Sequence, residues 1–306
     1  MAMSSQTAVL RGRAGAARQP DPRRWLAAVP FLAPFALFYL VFLVYPLGRG
    51  VWISLHDWEL VGARRSFVGL DNYRLLLSDA LFWTAVRNTV LFVVLTVPSM
   101  TALALGLALA VNKPTRLHGA LRGVFFASSV FSVSVVTLIW QMVLNGDRGL
   151  AAHLFQDLGL RPIAFLGDAF WAMPSLVMAT LWWGVGLPLA LFLASLQQIP
   201  PELYEAAELD HASRWTVLRR ITLPAIRRTT LLVVVLQLVA QFQMFGQSEL
   251  MTKGGPADST LSIVQYIYQT GFRDWQIGSA AAAAVVLFCL MVGFSMLQLW
   301  LGRAED

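Results

Sequence analysis

Pro200–Pro224 reads PPELYEAAELDHASRWTVLRRITLP, the one long, well-charged segment lying between two strongly apolar runs. Pro201 stands where a helix can begin without wasting an amide, and Glu202 and Glu205 put negative charge in the first turns, where the helix dipole favours it. Leu203, Tyr204 and Ala207 recur at helical spacing, so one face is apolar while Glu205, Glu208 and Asp210 point elsewhere. Ser213 is placed to cap a second short helix, with Trp215, Val217 and Leu218 on one side and Arg214, Arg219 and Arg220 on the other. Pro224 closes the polar stretch and hands over to another apolar run. The pattern predicts two short amphipathic helices joined by a bend, held at a membrane surface by the segments around them.

Those surroundings set the class. Of 306 residues, 57% are hydrophobic and 13% charged, and the mean hydropathy is +0.63. A soluble domain carries about 25% charged residues, so the deficit points to a membrane. Eleven Trp and nineteen Phe fit lipid-facing and interfacial use. The net charge of +6 does not indicate nucleic acid, because the basic residues fall in short loops beside apolar spans. The single cysteine, Cys289, lies inside an apolar run and reads as a small hydrophobe.

Residues 1–24 are Gly/Ala/Ser-rich with five Arg, and are expected to be a disordered basic tail. The apolar stretch at 25–47 exceeds the ~7–15 residues of a signal-peptide core, so it reads as an uncleaved first span, with Pro30, Pro34 and Pro46 kinking it or marking its ends. Further runs lie at 88–111, 121–144, 170–196, 226–250 and 279–301, each near or above the ~20 residues needed to cross the hydrocarbon core. Asp79–Arg87 reads as a short outside helix or as the wet start of the second span. A backbone in lipid must satisfy its own hydrogen bonds, so the expectation is an all-α membrane protein. One bundle of six transmembrane helices then fills 25–303.

Orientation follows from Lys and Arg. With the tail inside, 14 of the 23 basic residues lie on the inner side and 9 on the outer, giving inner and outer net charges of +7 and −1. The positive-inside rule therefore places both termini and the 200–224 loop in the cytoplasm.

The run Glu205-Ala206-Ala207, then Asp210, Ala212 and Ile221-Thr222-Leu223-Pro224, resembles the EAA loop of permease subunits in binding-protein-dependent ABC importers. That loop is the cytoplasmic coupling helix, which docks on the ATPase subunit. One departure stands out: His211 occupies the position where the family usually has glycine. Glycine permits a positive φ at the bend, and His is among the few other residues enriched there; the alternative is a first helix that runs further. Without the resemblance, the segment reads equally well as a solvated hairpin anchoring two spans. Further fragments resemble the carbohydrate branch, the maltose- and glycerol-3-phosphate-like importers. They are Phe67-Val68-Gly69-Leu70-Asp71-Asn72-Tyr73, Asn88-Thr89, Met251-Thr252-Lys253-Gly254-Gly255-Pro256, Tyr266, Tyr268, Gly271-Phe272 and Gly278-Ser279-Ala280, all in family order.

The resemblance implies an ATP-driven sugar importer in a bacterial inner membrane. It also implies a second permease subunit, two ATP-binding subunits and an extracytoplasmic substrate-binding protein as partners, besides membrane lipid. Tyr204, Ala206, Ala207 and Leu209 then become apolar contributors to docking on the ATPase, and Glu205, Asp210, His211 and Arg214 polar ones. No phosphate loop occurs, and neither lysine, Lys113 or Lys253, closes one, so no cofactor and no catalysis is expected in this chain. The four histidines are scattered, which disfavours a shared metal site.

A permease needs polar groups facing a pathway between helices. At 100° per residue, Ser134, Thr137, Gln141 and Asn145 fall within roughly 80° of arc in the third span, and Gln237, Gln241 and Ser248 within roughly 40° in the fifth. Gln243 and Gln247 form a second stripe on another face. With Trp140, Trp182 and Trp183 nearby, such groups suit a sugar, whose hydroxyls take hydrogen bonds and whose ring stacks on indole. They also suit interhelical bonding with no ligand. A neutral lining argues mildly against a strongly charged substrate, although a glycerol phosphate stays open. Two rivals stand beside the importer. An ATP-independent carrier or channel wants an intramembrane acid, for which Glu249 is the sole candidate; a membrane-anchored scaffold or enzyme needs no polar stripes.

Overall fold

The computed structural model describes residues 22–59, 65–113 and 115–303, so most of the expected tail lies outside the described residues. The chain forms two units, Met1–Trp52 and Ile53–Asp306. The first is a helical rod made of α1 (Pro22–Tyr39), a π turn (Leu40–Val44) and α2 (Tyr45–Ser54), which extends past the expected end at 47. Pro30 and Pro34 lie within α1 without ending it. The π turn widens the helix just ahead of Pro46, whose ring and missing amide would otherwise disturb the preceding turn.

The second unit takes in the last two residues of α2 and continues with a hairpin, β1 (His56–Trp58) against β2 (Arg65–Phe67), antiparallel with His56 opposite Phe67. Helix α3 (Asp71–Ser78) follows, and α4 (Ala80–Val111) starts on Asp79, whose side chain accepts from the Leu81 amide. Residues 80–87 are thus the start of the long helix rather than a separate one. At 1.5 Å per residue its 32 residues rise about 48 Å, well beyond the hydrocarbon thickness. It is also the axis of the bundle. Ala85, Ala104 and Ala108 are completely buried, and small side chains there let neighbouring backbones approach.

The remaining elements are α5 (Arg116–Ala127), α6 (Val133–Leu144), α7 (Leu150–Asp157), α8 (Ala169–Gly184) and α9 (Gly186–Leu196). Next come α10 (Pro201–Leu209), α11 (Arg214–Val217), α12 (Leu223–Ala225) and α13 (Arg227–Phe242), then α14 (Ile263–Tyr268) and α15 (Ile277–Arg303). Three helices, Val29–Ser54, Ala80–Val111 and Ile277–Gln298, are long and apolar enough to cross a membrane unbroken. Three more are bent pairs, and the count is six when each pair is one span.

The bends correct the sequence reading in three places. The run expected as one span at 121–144 is two helices meeting at 103°. The run at 170–196 is two helices meeting at 51°. The run at 226–250 stops being helical after Phe242, resumes at Gly246 and passes into a π turn at Ser248–Thr252, while its start meets the preceding polar helix at 69°.

The end of α4 near Asn88 is knitted by side chains from the family-like fragments. Asn88 Nδ2 donates to the carbonyls of Asp258 (2.6 Å) and Leu261 (3.2 Å), and Thr89 Oγ1 accepts from the Ile263 amide (2.9 Å). Asn72 Nδ2 donates to Ser54 O and His56 O, and a side chain at Gly278 would collide with His56 O. Tyr266 donates to Asp79 (2.7 Å); burial first, and then that carboxylate, hold its hydroxyl above the usual tyrosine range. Fragments that say little one by one in the sequence are partners in one network.

Candidate functional site

Three helix breaks meet at one place. The first follows α5, where Ser128–Val130 forms a 3-10 turn and Phe131 is extended before Ser132 caps α6. Serines offer the backbone alternative partners, and Ser128 Oγ donates to Phe125 O (2.9 Å). The second break separates α8 from α9, where Pro188 brings no amide to the turn behind it. The third follows α13, where the Gln243 and Met244 amides turn back onto Ala240 O and Gln241 O.

Each break holds its neighbour. Ser129 Oγ donates to Trp183 O (3.2 Å), the carbonyl left over at the end of α8, while Trp183 Nε1 donates to Phe131 O (2.9 Å). Gly186 abuts α5, where any Cβ would meet Ser129 Oγ and lie 3.1 Å from both Phe125 O and Phe126 Cα. Gly246 abuts α6: a Cβ there would lie 2.5 Å from Val133 Cγ2. Close approach, not a positive φ, favours glycine at both.

Between the breaks lies a cavity of about 540 Å³, within the usual range for small-molecule sites. Ser129, Val133, Thr180, Trp183, Gln237, Gln241, Gln243 and Gln247 are among its lining residues, and no charged side chain is. Gln241 Nε2 donates to Gln237 Oε1 (2.8 Å), and Gln247 Nε2 donates to Thr180 Oγ1 (3.3 Å). Each carboxamide keeps further donor or acceptor capacity after these bonds. Amides, hydroxyls and one indole in an uncharged chamber suit an uncharged ligand rich in hydroxyls.

The predicted pathway residues divide. Trp183, Gln237 and Gln241 line the cavity. Gln243 and Gln247, assigned by helical arithmetic to a separate face, line it too, because the helix ends at Phe242 and 100° per residue no longer applies. Ser129 and Thr180 were missed; a serine pair at a helix break is the signal that marks Ser129. Ser134, Thr137, Trp182 and Ser248 do not line it. Thr137 is buried and donates to Ser134 O in its own helix, and Ser134 is exposed. Trp182 stacks on Phe131 at 6.5 Å and meets Trp140 edge-on. Ser248 is completely buried, with its hydroxyl in hydrogen-bonding reach of Thr260 O (2.6 Å) and of the Gln265 carboxamide, a purely internal role. Gln141 and Asn145 lie elsewhere: Gln141 Nε2 donates to Leu250 O (2.6 Å), and Asn145 Oδ1 accepts the Asp147 and Arg148 amides. Glu249 is bound by Gln265 Nε2 and Arg273 Nη2, both at 2.6 Å, and Arg273 is half-exposed.

The polar loop forms the second half of the site. Helix α10 ends in a Schellman motif: His211, at φ 52°, sends its amide to Glu208 O (3.0 Å), and Ala212 sends its amide to Ala207 O (2.9 Å). The bend is therefore made with histidine in the glycine position. Ser213 caps α11, accepting from the Thr216 amide (3.2 Å). A π turn at Leu218–Thr222 then precedes Pro224, as the one in the first unit precedes Pro46. The docking residues inferred from the resemblance also divide. Ala207 is buried, and Tyr204 packs on the bundle with its hydroxyl 3.3 Å from Thr222 Oγ1, so these two seat the loop on its own chain. Glu205, Ala206, Leu209, Asp210, His211 and Arg214 are exposed, with Leu209 at 83% and its neighbour Trp215 at 67%. Among the described residues, no cluster of three His, Cys, Asp or Glu side chains is placed to hold a metal ion.

Residues 102–305 match the family model described as the binding-protein-dependent transport system inner membrane component. Among curated relatives, the chain is 32% identical over 273 residues to a probable ABC transporter permease protein, YurN, of Bacillus subtilis, covering 88% of this chain and 93% of the relative. It is 30% identical to the sulfoquinovosyl glycerol transport system permease protein SmoG of Agrobacterium fabrum (94% and 96% covered). It is 32% identical to the lactose transport system permease protein LacF of Rhizobium radiobacter (95% and 97% covered). Among solved structures, a chain of a bacterial ABC transporter involved in the import of the acidic polysaccharide alginate superposes with a TM-score of 0.80 at 23% identity, over 92% of this chain and 96% of that one.

Proposed function

The chain belongs to the binding-protein-dependent transport system inner membrane component family, as a carbohydrate ABC importer permease, and on that premise we propose how it works. It is a non-catalytic subunit whose central cavity is the pathway for an uncharged saccharide, and whose 200–224 loop couples that pathway to ATP hydrolysis in two partner subunits. A second permease subunit completes the membrane unit, and a substrate-binding protein delivers the sugar from outside. Both termini and the loop lie in the cytoplasm, on the distribution of Lys and Arg.

One observation carries this reading. The second half of the loop bends at 69° directly into α13, and α13 bears Gln237 and Gln241 in the cavity. The 16 residues of α13 rise about 24 Å, so one rigid element joins the loop to the amides. A displacement of the loop that is passed on at the 69° bend is then carried to the cavity by α13 as one element.

The docking contact has an energetic requirement. Moving a two-state protein from 1:99 to 99:1 takes about 5.5 kcal/mol of differential binding, and one exposed ion pair supplies at most about 1 kcal/mol. A packed surface is needed, and Leu203, Ala206, Leu209 and Trp215 supply it, with Glu205 and Arg214 beside them. The carrier or channel alternative has nothing specific in its favour, since Glu249 is engaged by Gln265 and Arg273.

The test is ATPase activity of the reconstituted complex with its binding protein and a panel of sugars, with and without Glu205→Lys. Stimulation by one sugar, lost in the variant, is expected. Sugar transport that persists with no ATPase present would replace this reading with the carrier.

A further inference from the structure

The polar stripe of the third span, which misses the central cavity, lines a different one. A cavity of about 600 Å³ opens between the last turns of α6 at Gln141 and Asn145, the turn at Gly146 and Asp147, the loop from Ala164 to Gly167, and Met251. Its walls are set by backbone bonds. Asn145 Oδ1 accepts the amides of Asp147 (3.1 Å) and Arg148 (2.9 Å), and Ala164 O accepts those of Gly167 (3.0 Å) and Asp168 (2.9 Å). A Cβ at Gly146 would stand 3.3 Å from Ala164 Cα, so turn and loop are in close contact. Walls ordered in advance leave little entropy to be lost when a ligand binds.

Beside apolar Leu138, Met142, Leu144 and Leu166, the polar part of the lining suits hydroxyl groups. Gln141 gives Nε2 to Leu250 O and keeps Oε1 as an acceptor; Asn145 uses Oδ1 on the backbone and keeps Nδ2 as a donor. Asp147 adds a carboxylate acceptor, which disfavours an anionic ligand. A hydroxyl both donates and accepts, so a polyol matches this mixture.

One buried cluster reaches both cavities. Met251 lines this one and Met244 lines the central one, and both belong to one buried cluster with Phe92, Leu144 and Leu176. Methionine is unbranched and adapts its shape readily, which suits a partition that must yield. The π turn at Ser248–Thr252 carries Met251, and Gln247, immediately before it, lines the central cavity.

We propose that the second cavity is a receiving site for an uncharged polyhydroxylated ligand, where a saccharide is held on the binding-protein side before the Met244–Met251 cluster admits it to the central cavity. The inference rests on the transport reading above.

The test uses the whole importer in nanodiscs, in a Cys289→Ala background, with Ala164→Cys as reporter and Gly167→Cys as a second reporter should the first fail to assemble. Thiol labelling is timed without ATP, with glucose, lactose, maltose or trehalose. At about ten times its dissociation constant, a sugar that the wild type imports slows labelling about tenfold, the inverse of the unoccupied fraction. The slowing persists when Gln237→Ala and Gln241→Ala weaken the central site. No slowing by an imported sugar overturns the proposal. So does slowing that disappears in the double variant, which means one site only, or slowing by ligand-free binding protein but not by sugar, which means a protein seat. Import by the wild type of no sugar, neither these four nor a wider panel of oligosaccharides and glycosyl glycerols, is a separate result: the transport reading fails and the receiving site falls with it.

Discussion

Gly186→Ala adds one methyl group at the contact between two helix breaks. The new Cβ would meet Ser129 Oγ and stand 3.1 Å from both Phe125 O and Phe126 Cα. Rotation of Ser129 relieves the first contact at the expense of its bond to Trp183 O, but the other two neighbours are backbone, so the helices must give by a few tenths of an ångström. Overpacking of this kind costs about 1–3 kcal/mol. At about 1.4 kcal/mol per factor of ten, the assembled form loses about 5-fold to 150-fold in relative population. The matched control is Gly106→Ala in α4, where no atom lies within 4 Å. There the same methyl removes a helix glycine and is expected to stabilise by about 0.5–1 kcal/mol. Thermal unfolding of the complex in nanodiscs gives the stability, and initial uptake by proteoliposomes gives the function. Gly186→Ala should lower both the midpoint and uptake, with the control at or above wild type. Gly186→Ala that melts and transports like wild type would refute the close packing of the breaks.

Ala207→Asp and Leu209→Asp, two positions apart, should fail differently. The first buries a charge within the chain and removes assembled subunit from the membrane, whereas the second leaves assembly intact and abolishes sugar-stimulated ATPase; quantitative blotting and ATPase assay separate the two. His211→Gly should keep full coupling, because glycine accepts φ 52° without penalty, while His211→Val forces a β-branched residue into a region that costs about 1–2 kcal/mol and should lower stimulated ATPase. Gln241→Leu keeps the volume and removes hydrogen bonds worth about 0.5–1.5 kcal/mol each, so transport of a neutral sugar should fall about 2-fold to 10-fold, read as uptake kcat/KM.

The helical membrane class and the two short helices of the 200–224 loop were legible because composition and local chemistry determine them. Thirteen per cent charged residues, six apolar runs, Pro201 at a helix start and Ser213 at another need no tertiary knowledge. The bend at His211 was legible as a question, and the Schellman bonds answer it. The helix breaks were not, because apolar runs hide them: neither Ser128-Ser129 nor Gln243 interrupts hydropathy, and the close contacts that favour Gly186 and Gly246 come from distant segments. Once α13 stops at Phe242, positions counted along an ideal helix lose their meaning, which is why Ser248 proved internal and Gln247 proved to line the cavity. Ala207 looks like a docking residue in a linear motif, yet only packing shows which side of α10 faces the bundle.

The most direct test of the central claim is a cryo-EM structure of the complete importer, arrested with a hydrolysis-deficient ATPase and loaded with its transported sugar. The account predicts sugar density between Trp183, Gln237 and Gln241, within hydrogen-bonding reach of the carboxamides. Sugar bound wholly in the partner permease, with this cavity closed or filled by side chains, would contradict it.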